Sequence, residues 1–321
     1  MTYLCPLKNS SYIMISRRNI RVKVMQTLYV LDSQETLPPA QDAVKLLQKH
    51  FDLSAELFIY MVHLVTETAR YAETDARNRA SKHLPSAEDL NVNTKIAGNE
   101  LLWTILELPT YKSAVATYKP HLESDQDLIR KWYQELTETP EYKDYILVQG
   151  RDKKSEKEII DFILNNILLP NEAFQAHIEE HFTNWDDDVD MILQLVQGFL
   201  QKPQSFNLQD MLGKEKWDFA KNLLQTVIEK KEVAMDLIKP KLKNWDPERI
   251  ALLDMILMQM GVCEFLYFET IPPKVTINEY IDLAKEYSTP QSGQFVNGIL
   301  DNIHKDLVKE NRMHKIAYKP Q

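Results

Sequence analysis

Apolar residues recur three and four positions apart along almost the whole chain, and no apolar–polar alternation bounded by turn residues marks out a strand. That pattern predicts an all-α protein built as helix after helix. Glycine usage narrows the choice further. Only 7 of the 321 residues are glycine (Gly98, Gly150, Gly198, Gly213, Gly261, Gly293 and Gly298), and none are spaced as GxG, GxGxxG or GxxxxGK. Loops that cradle phosphate need glycine so that backbone N–H groups can approach the ligand. Nucleotide and S-adenosylmethionine sites of that type are therefore not expected, which removes many enzyme classes and leaves no cofactor loop in view.

With 44% hydrophobic and 26% charged residues, the chain can bury a substantial core. The two cysteines, Cys5 and Cys263, fit no metal or redox spacing and suit a reducing cytoplasm. Apolar runs fall short of the roughly 20 residues a membrane span needs. Residues 1–15 lack the charged and apolar regions of a secretory signal and are expected to form a disordered leader, with Met14 a candidate initiator. A net charge of −9 argues against a protein coated in basic surface, so any nucleic-acid site must be local.

Ser16 reads as the N-cap of a first helix that carries one stripe of Ile20, Val24, Leu28 and Leu31 and a second of Val22, Met25 and Tyr29. A helix apolar on two sides belongs in a core, and Pro38-Pro39 closes the connection after it. One or two helices follow over 40–83, then 94–108, 124–137, 155–168, 171–182 and 186–202, with prolines 109, 120, 140 and 170 as punctuation. Residues 203–213 read as a linker. Further helices are expected over 214–238, over 246–267 from the Asp246-Pro247 start, over 274–287, and over 292–308; Thr276–Glu279 has the spacing of a capping box, although that helix could equally begin a few residues earlier. Gly298 falls inside the last of these, where it is expected to let another helix or a ligand approach closely. The domains implied are an N-terminal bundle over 16–210, a C-terminal bundle over 211–308 and a loose basic tail over 309–321.

Arg17, Arg18, Arg21 and Lys23 crowd the N-terminal end of helix one, where positive charge opposes the helix dipole. The functional reading is an RNA phosphate site, since phosphates answer guanidinium forks and free helix N–H groups alike. The bland reading is a basic first turn paired with acids elsewhere. His177–His181 matches HxxEH, an inverted zinc-peptidase pattern, but no third ligand is identifiable and no metal is expected. Asp186, Asp187, Asp188 and Asp190 fit the first turn of a helix better than a cation site. The five tryptophans, one per helix or helix boundary, read as core anchors.

Residues 16–29, with arginines 17, 18 and 21 followed by Gln26, Leu28 and Tyr29, resemble the RRxxRxxxxQxLY first helix of the NusB family. Residues 271–285 are similar to its VAINEAVELAK segment, and residues 294–301 (QFVNGILD) to its KFVNGVLD. Together the similar stretches cover 16–34 and 214–308, about a third of the chain, in the family's order. The resemblance implies two packed helical bundles and no catalytic activity. It also implies transcription antitermination through boxA-like single-stranded RNA of ribosomal-RNA leaders, the small-subunit ribosomal protein that acts as NusE, and the elongation complex. By position it places RNA contacts on Arg17, Arg18, Arg21, Phe295 and Asn297, and the protein-partner surface around Glu264 and Tyr267. Two features depart from the pattern. Gln259 stands where the family commonly has arginine, and Gly261-Val262-Cys263 precede Glu264 in place of its AIY. About 180 residues also separate the two similar parts, where short members have a few tens.

A methyltransferase fused to such a domain would need a glycine-rich cofactor loop and a catalytic cysteine pair, and the chain has neither. The stronger competitor is a helical scaffold that has lost RNA binding. Arginines 17, 18 and 21 lining one groove with Phe295 would favour RNA, whereas pairing with acids of the 36–210 segment would favour the scaffold.

Overall fold

The Ser16 hydroxyl accepts a hydrogen bond from the Asn19 N–H, 3.1 Å away, and so starts the first helix where the sequence places it. A computed structural model describes residues 15–33, 40–208, 211–242 and 250–316. Among them there is no strand. The helices are α1 (Arg17–Asp32), α2 (Ala40–Ala80), α3 (Ala87–Leu90), α4 (Glu100–Glu107), α5 (Pro109–Tyr118), α6 (Gln126–Glu138), α7 (Pro140–Leu147), α8 (Lys153–Phe162), α9 (Glu172–His181) and α10 (Trp185–Gln201). They continue as α11 (Lys214–Glu229), α12 (Lys231–Ile238), α13 (Leu252–Tyr267), α14 (Pro273–Tyr287) and α15 (Ser292–Lys309). The fold is all-α, as expected. No helix among the described residues is long and apolar enough to cross a membrane. Pro38-Pro39, Trp245, Asp246-Pro247 and all but the last residue of the expected leader lie outside the described residues.

The described residues form two compact units, one within 52–211 together with Ile15, the other within 16–51 and 212–316. In the first, the stretch of α2 from Leu57 to Thr66 is buried at every position, which makes it the central helix of that unit. Around it α8 packs on α4 and α10, and α6 on α7. α8 runs on into a π-helical segment, Ile163–Leu168, with Ile163, Leu164, Ile167 and Leu168 buried. Pro109 and Pro140 occupy the first position of α5 and α7, where the missing N–H costs nothing, so they start helices that a reading of prolines as breaks passes over. Trp132 and Trp185 are core residues, but Trp103 is 46% exposed and anchors nothing.

In the second unit α13 holds the centre. Every residue from Ile256 to Phe265 is buried, and α1, α11, α12, α14 and α15 all pack against this helix. Ile20, Val22, Val24, Met25, Leu28 and Leu31 of α1 are buried, whereas Tyr29, expected on its second stripe, is 46% exposed. Close approach of helices occurs at Gly261, not Gly298. An added Cβ at Gly261 would lie 2.9 Å from both Leu300 methyls, and at Gly298 it would meet no atom within 4 Å. Nor is the tail wholly loose, because the Lys315 ammonium donates to the Glu264 and Phe268 carbonyls at the C-terminal end of α13 and the Ile316 N–H to the Glu269 carbonyl.

Candidate nucleic-acid interface

The first turn of α1 contains no acid, so the charge of its arginines is answered from other helices. Arg17 meets Glu215 of α11 at 3.0 Å, and its guanidinium carbon lies 5.3 Å from the centre of the Phe219 ring, one turn further along that helix. Arg18 meets Glu286 of α14 at 2.6 Å and Asp282 at 3.9 Å. The side chains of Arg17 and Arg18 keep 45% and 35% of their surface open.

Arg21 differs in kind. Its Nε and Nη2 donate to the two oxygens of Glu264 at 2.7 and 3.2 Å, and Nη1 to Glu279 at 3.5 Å. The side chains of Arg21 and Glu264 are 3% and 0% exposed. Glu264 also accepts from the Thr276 hydroxyl and the Tyr280 phenol, both at 2.9 Å, so its carboxylate takes four hydrogen bonds in the interior. Burial disfavours the charge on Arg21, but Glu264, Tyr280 and Glu279 together outweigh it and raise the pKa of the guanidinium above its usual value. Burial and then Glu264 hold the Tyr280 phenol well above its ordinary range, and the same two causes push the Cys263 thiol up to about 12, which leaves that cysteine inert. Lys315 falls to about 8, because its burial outweighs the pull of Glu264 and Glu269.

Arg21 and Glu264, assigned by position to RNA and to a protein partner, therefore occupy each other beneath the surface, and neither is presented to a ligand. Thr276 follows the earlier of the two helix starts that the sequence leaves open. The helix starts at Pro273, so Thr276 lies inside α14 and spends its hydroxyl on Glu264 in place of capping. The partners of the three arginines come from α11, α13 and α14, outside the 36–210 segment. Phe295 is half-buried and Asn297 exposed on α15, which packs on α13 and α14. Tyr267, at the end of α13, is 42% exposed and borders a groove of about 530 Å³ shared with Asn222, Gln225 and Glu229.

The residues that sequence reasoning missed are Glu215, Phe219, Asp282, Glu286, Thr276 and Tyr280. One signal for two of them was available, since Thr276 and Tyr280 are four apart and share a helix face. Elsewhere, His177 is buried and bonded to the Tyr60 phenol, while His181 bonds the His177 carbonyl, so the HxxEH pattern is engaged within its own unit. The Asp188 carboxylate, in the first turn of α10, accepts from Ser54 and Asn184.

The model of the NusB family matches residues 189–305, which takes in most of α10, all of α11–α14 and most of α15 and leaves α1 outside the match. The transcription antitermination protein NusB of Salinibacter ruber is 44% identical over 98 residues, 30% of this chain and 61% of that protein. The NusB protein of Methylacidiphilum infernorum is 41% identical over 100 residues, 28% of this chain and 70% of the relative. That of Finegoldia magna is 40% identical over 111 residues, 35% of this chain and 80% of the relative. No solved structure matches the chain significantly. Identity of this degree across most of the length of two such relatives means that the chain belongs to the NusB family.

Proposed function

We propose that the chain is a non-enzymatic transcription antitermination factor that binds boxA-like single-stranded RNA of ribosomal-RNA leaders. It does so together with the small-subunit ribosomal protein that acts as NusE, within the transcription elongation complex. The observation that carries this reading is the match of residues 189–305 to the family. Arg17 and Arg18, open to solvent at the positive end of α1, supply the phosphate contacts. The half-buried Phe295 and the exposed Asn297 supply stacking and base-edge hydrogen bonds, beside open space at Gly298. Arg21 supports this surface from beneath. Tyr267 belongs to the partner surface, while Glu264 braces it from the interior.

Binding to a boxA-like single strand, measured over a salt series with and without the ribosomal protein, tests the proposal. Each phosphate contact on a single strand contributes about 0.7 to the log–log salt slope, so the Arg17→Ala/Arg18→Ala variant should flatten it by about 1.4. An unchanged slope rejects the arginine site. No binding by the intact chain at about 50 mM salt rejects RNA recognition and leaves the scaffold.

A further inference from the structure

Arg17 and Arg18 are consecutive residues, about 100° apart around α1, and two different helices claim them. Glu215 of α11 binds the guanidinium of Arg17 at its edge while Phe219, four residues on, lies against its face. Glu286 of α14 binds Arg18, with Asp282 behind it. The carboxylate oxygens stand 3.0 and 2.6 Å from guanidinium nitrogens, the distances at which phosphate oxygens would stand. These pairs also differ from the buried Arg21–Glu264 pair in being exchangeable, because the acids are 85% and 47% exposed.

We infer that Glu215 and Glu286 are built-in phosphate surrogates that set the specificity of the first turn of α1. This rests on the RNA reading above. In the free chain the two carboxylates hold the guanidiniums on separate helices, and a ligand gains both only by displacing both. A strand presenting successive phosphodiesters does so in one binding event, since the second displacement follows from the first at high local concentration. A lone phosphate or a sparse polyanion displaces one acid and gains little. Exposed ion pairs are weak enough to yield in this way and strong enough to reject weak competitors.

The experiment measures affinity for a boxA-like single-stranded RNA oligonucleotide with the intact chain, Glu215→Gln, Glu286→Gln and their double variant. Asp218→Asn, at an exposed acid on α11, reports the general effect of removing one negative charge. Each glutamine should tighten binding about threefold and the pair about tenfold, with Asp218→Asn changing it less than about 1.5-fold. Tightening in the double variant no greater than in Asp218→Asn overturns the inference and leaves the RNA reading standing. Absence of binding by every variant overturns both.

Discussion

Glu264→Gln is the perturbation that separates an interior brace from a docking residue. The native carboxylate is fully buried and takes donors from Arg21 at 2.7 and 3.2 Å, from Thr276 at 2.9 Å and from Tyr280 at 2.9 Å. Glutamine keeps the shape but carries one acceptor oxygen and one NH₂, so at least one of these donors then faces another donor. The carboxylate left to Arg21 among the described residues is Glu279, 3.5 Å away and a weaker contact. Removing one member of a buried ion pair costs about 3–5 kcal/mol, most of it the desolvation of the charge left behind. For a unit of this size that should lower the melting temperature by roughly 10 °C. Glu286→Gln, which breaks an exposed pair on α14, should cost under about 1 kcal/mol and move the melt by less than about 3 °C. Thermal melts of the full chain followed by circular dichroism read both numbers. A Glu264→Gln chain that melts within a degree or two of the parent would refute the brace and return Glu264 to the partner surface.

Two further outcomes follow from the packing. Gly261→Ala drives a methyl into Leu300 and should destabilise by about 1 kcal/mol net of its helix propensity, whereas Gly298→Ala, facing open space, should stabilise by about 1 kcal/mol; shifts of the same sign in urea midpoints would refute the contrast. Burial, then the neighbouring His181, lowers the His177 pKa below the ordinary 6.5, so the unfolded chain binds the proton more readily and stability falls as pH drops below that value. His177→Gln should therefore shrink the loss of melting temperature between about pH 7.5 and 5.5, and an undiminished loss would rule the histidine out as its source.

Features set by neighbours in the chain were legible in the sequence. The cap at Ser16, the Ile20–Val24–Leu28–Leu31 stripe of α1 and the extents of α6, α9, α10 and α15 depend on spacing and capping, and they stand within a residue or two of expectation. Features set by what lies opposite were not. Gly261 and Gly298 look alike as mid-helix glycines, but only Gly261 faces Leu300, 39 residues along the chain. Arg17, Arg18 and Arg21 share a motif, and their positions in the sequence do not say that the third is buried against Glu264, 243 residues away. The two assignments that burial revises, Arg21 and Glu264, are the two ends of one hydrogen-bonded pair, so the same long-range contact accounts for both.

That contact also bears on how α1 stays with the C-terminal helices although 181 residues separate Asp32 from Lys214. Lengthening a flexible connection from about 40 to about 180 residues adds only about 1.3 kcal/mol of closure entropy, and an intervening folded unit reduces that further. Burial of Ile20, Val24, Met25, Leu28 and Leu31, at about 1.5–3 kcal/mol each, exceeds it several-fold, so the apolar stripe suffices to hold the helix. Apolar contact alone fixes rotation and register poorly, because a stripe can slide along a groove of similar side chains. The bidentate Arg21–Glu264 pair tolerates no such slip, since a shift of one residue would leave both charges buried and unpaired. The stripe therefore holds α1 while the pair sets its angle, and that angle sends Arg17 and Arg18 toward Glu215 and Glu286 at the surface. On this argument the arginine that never reaches the solvent determines where the two exposed ones stand.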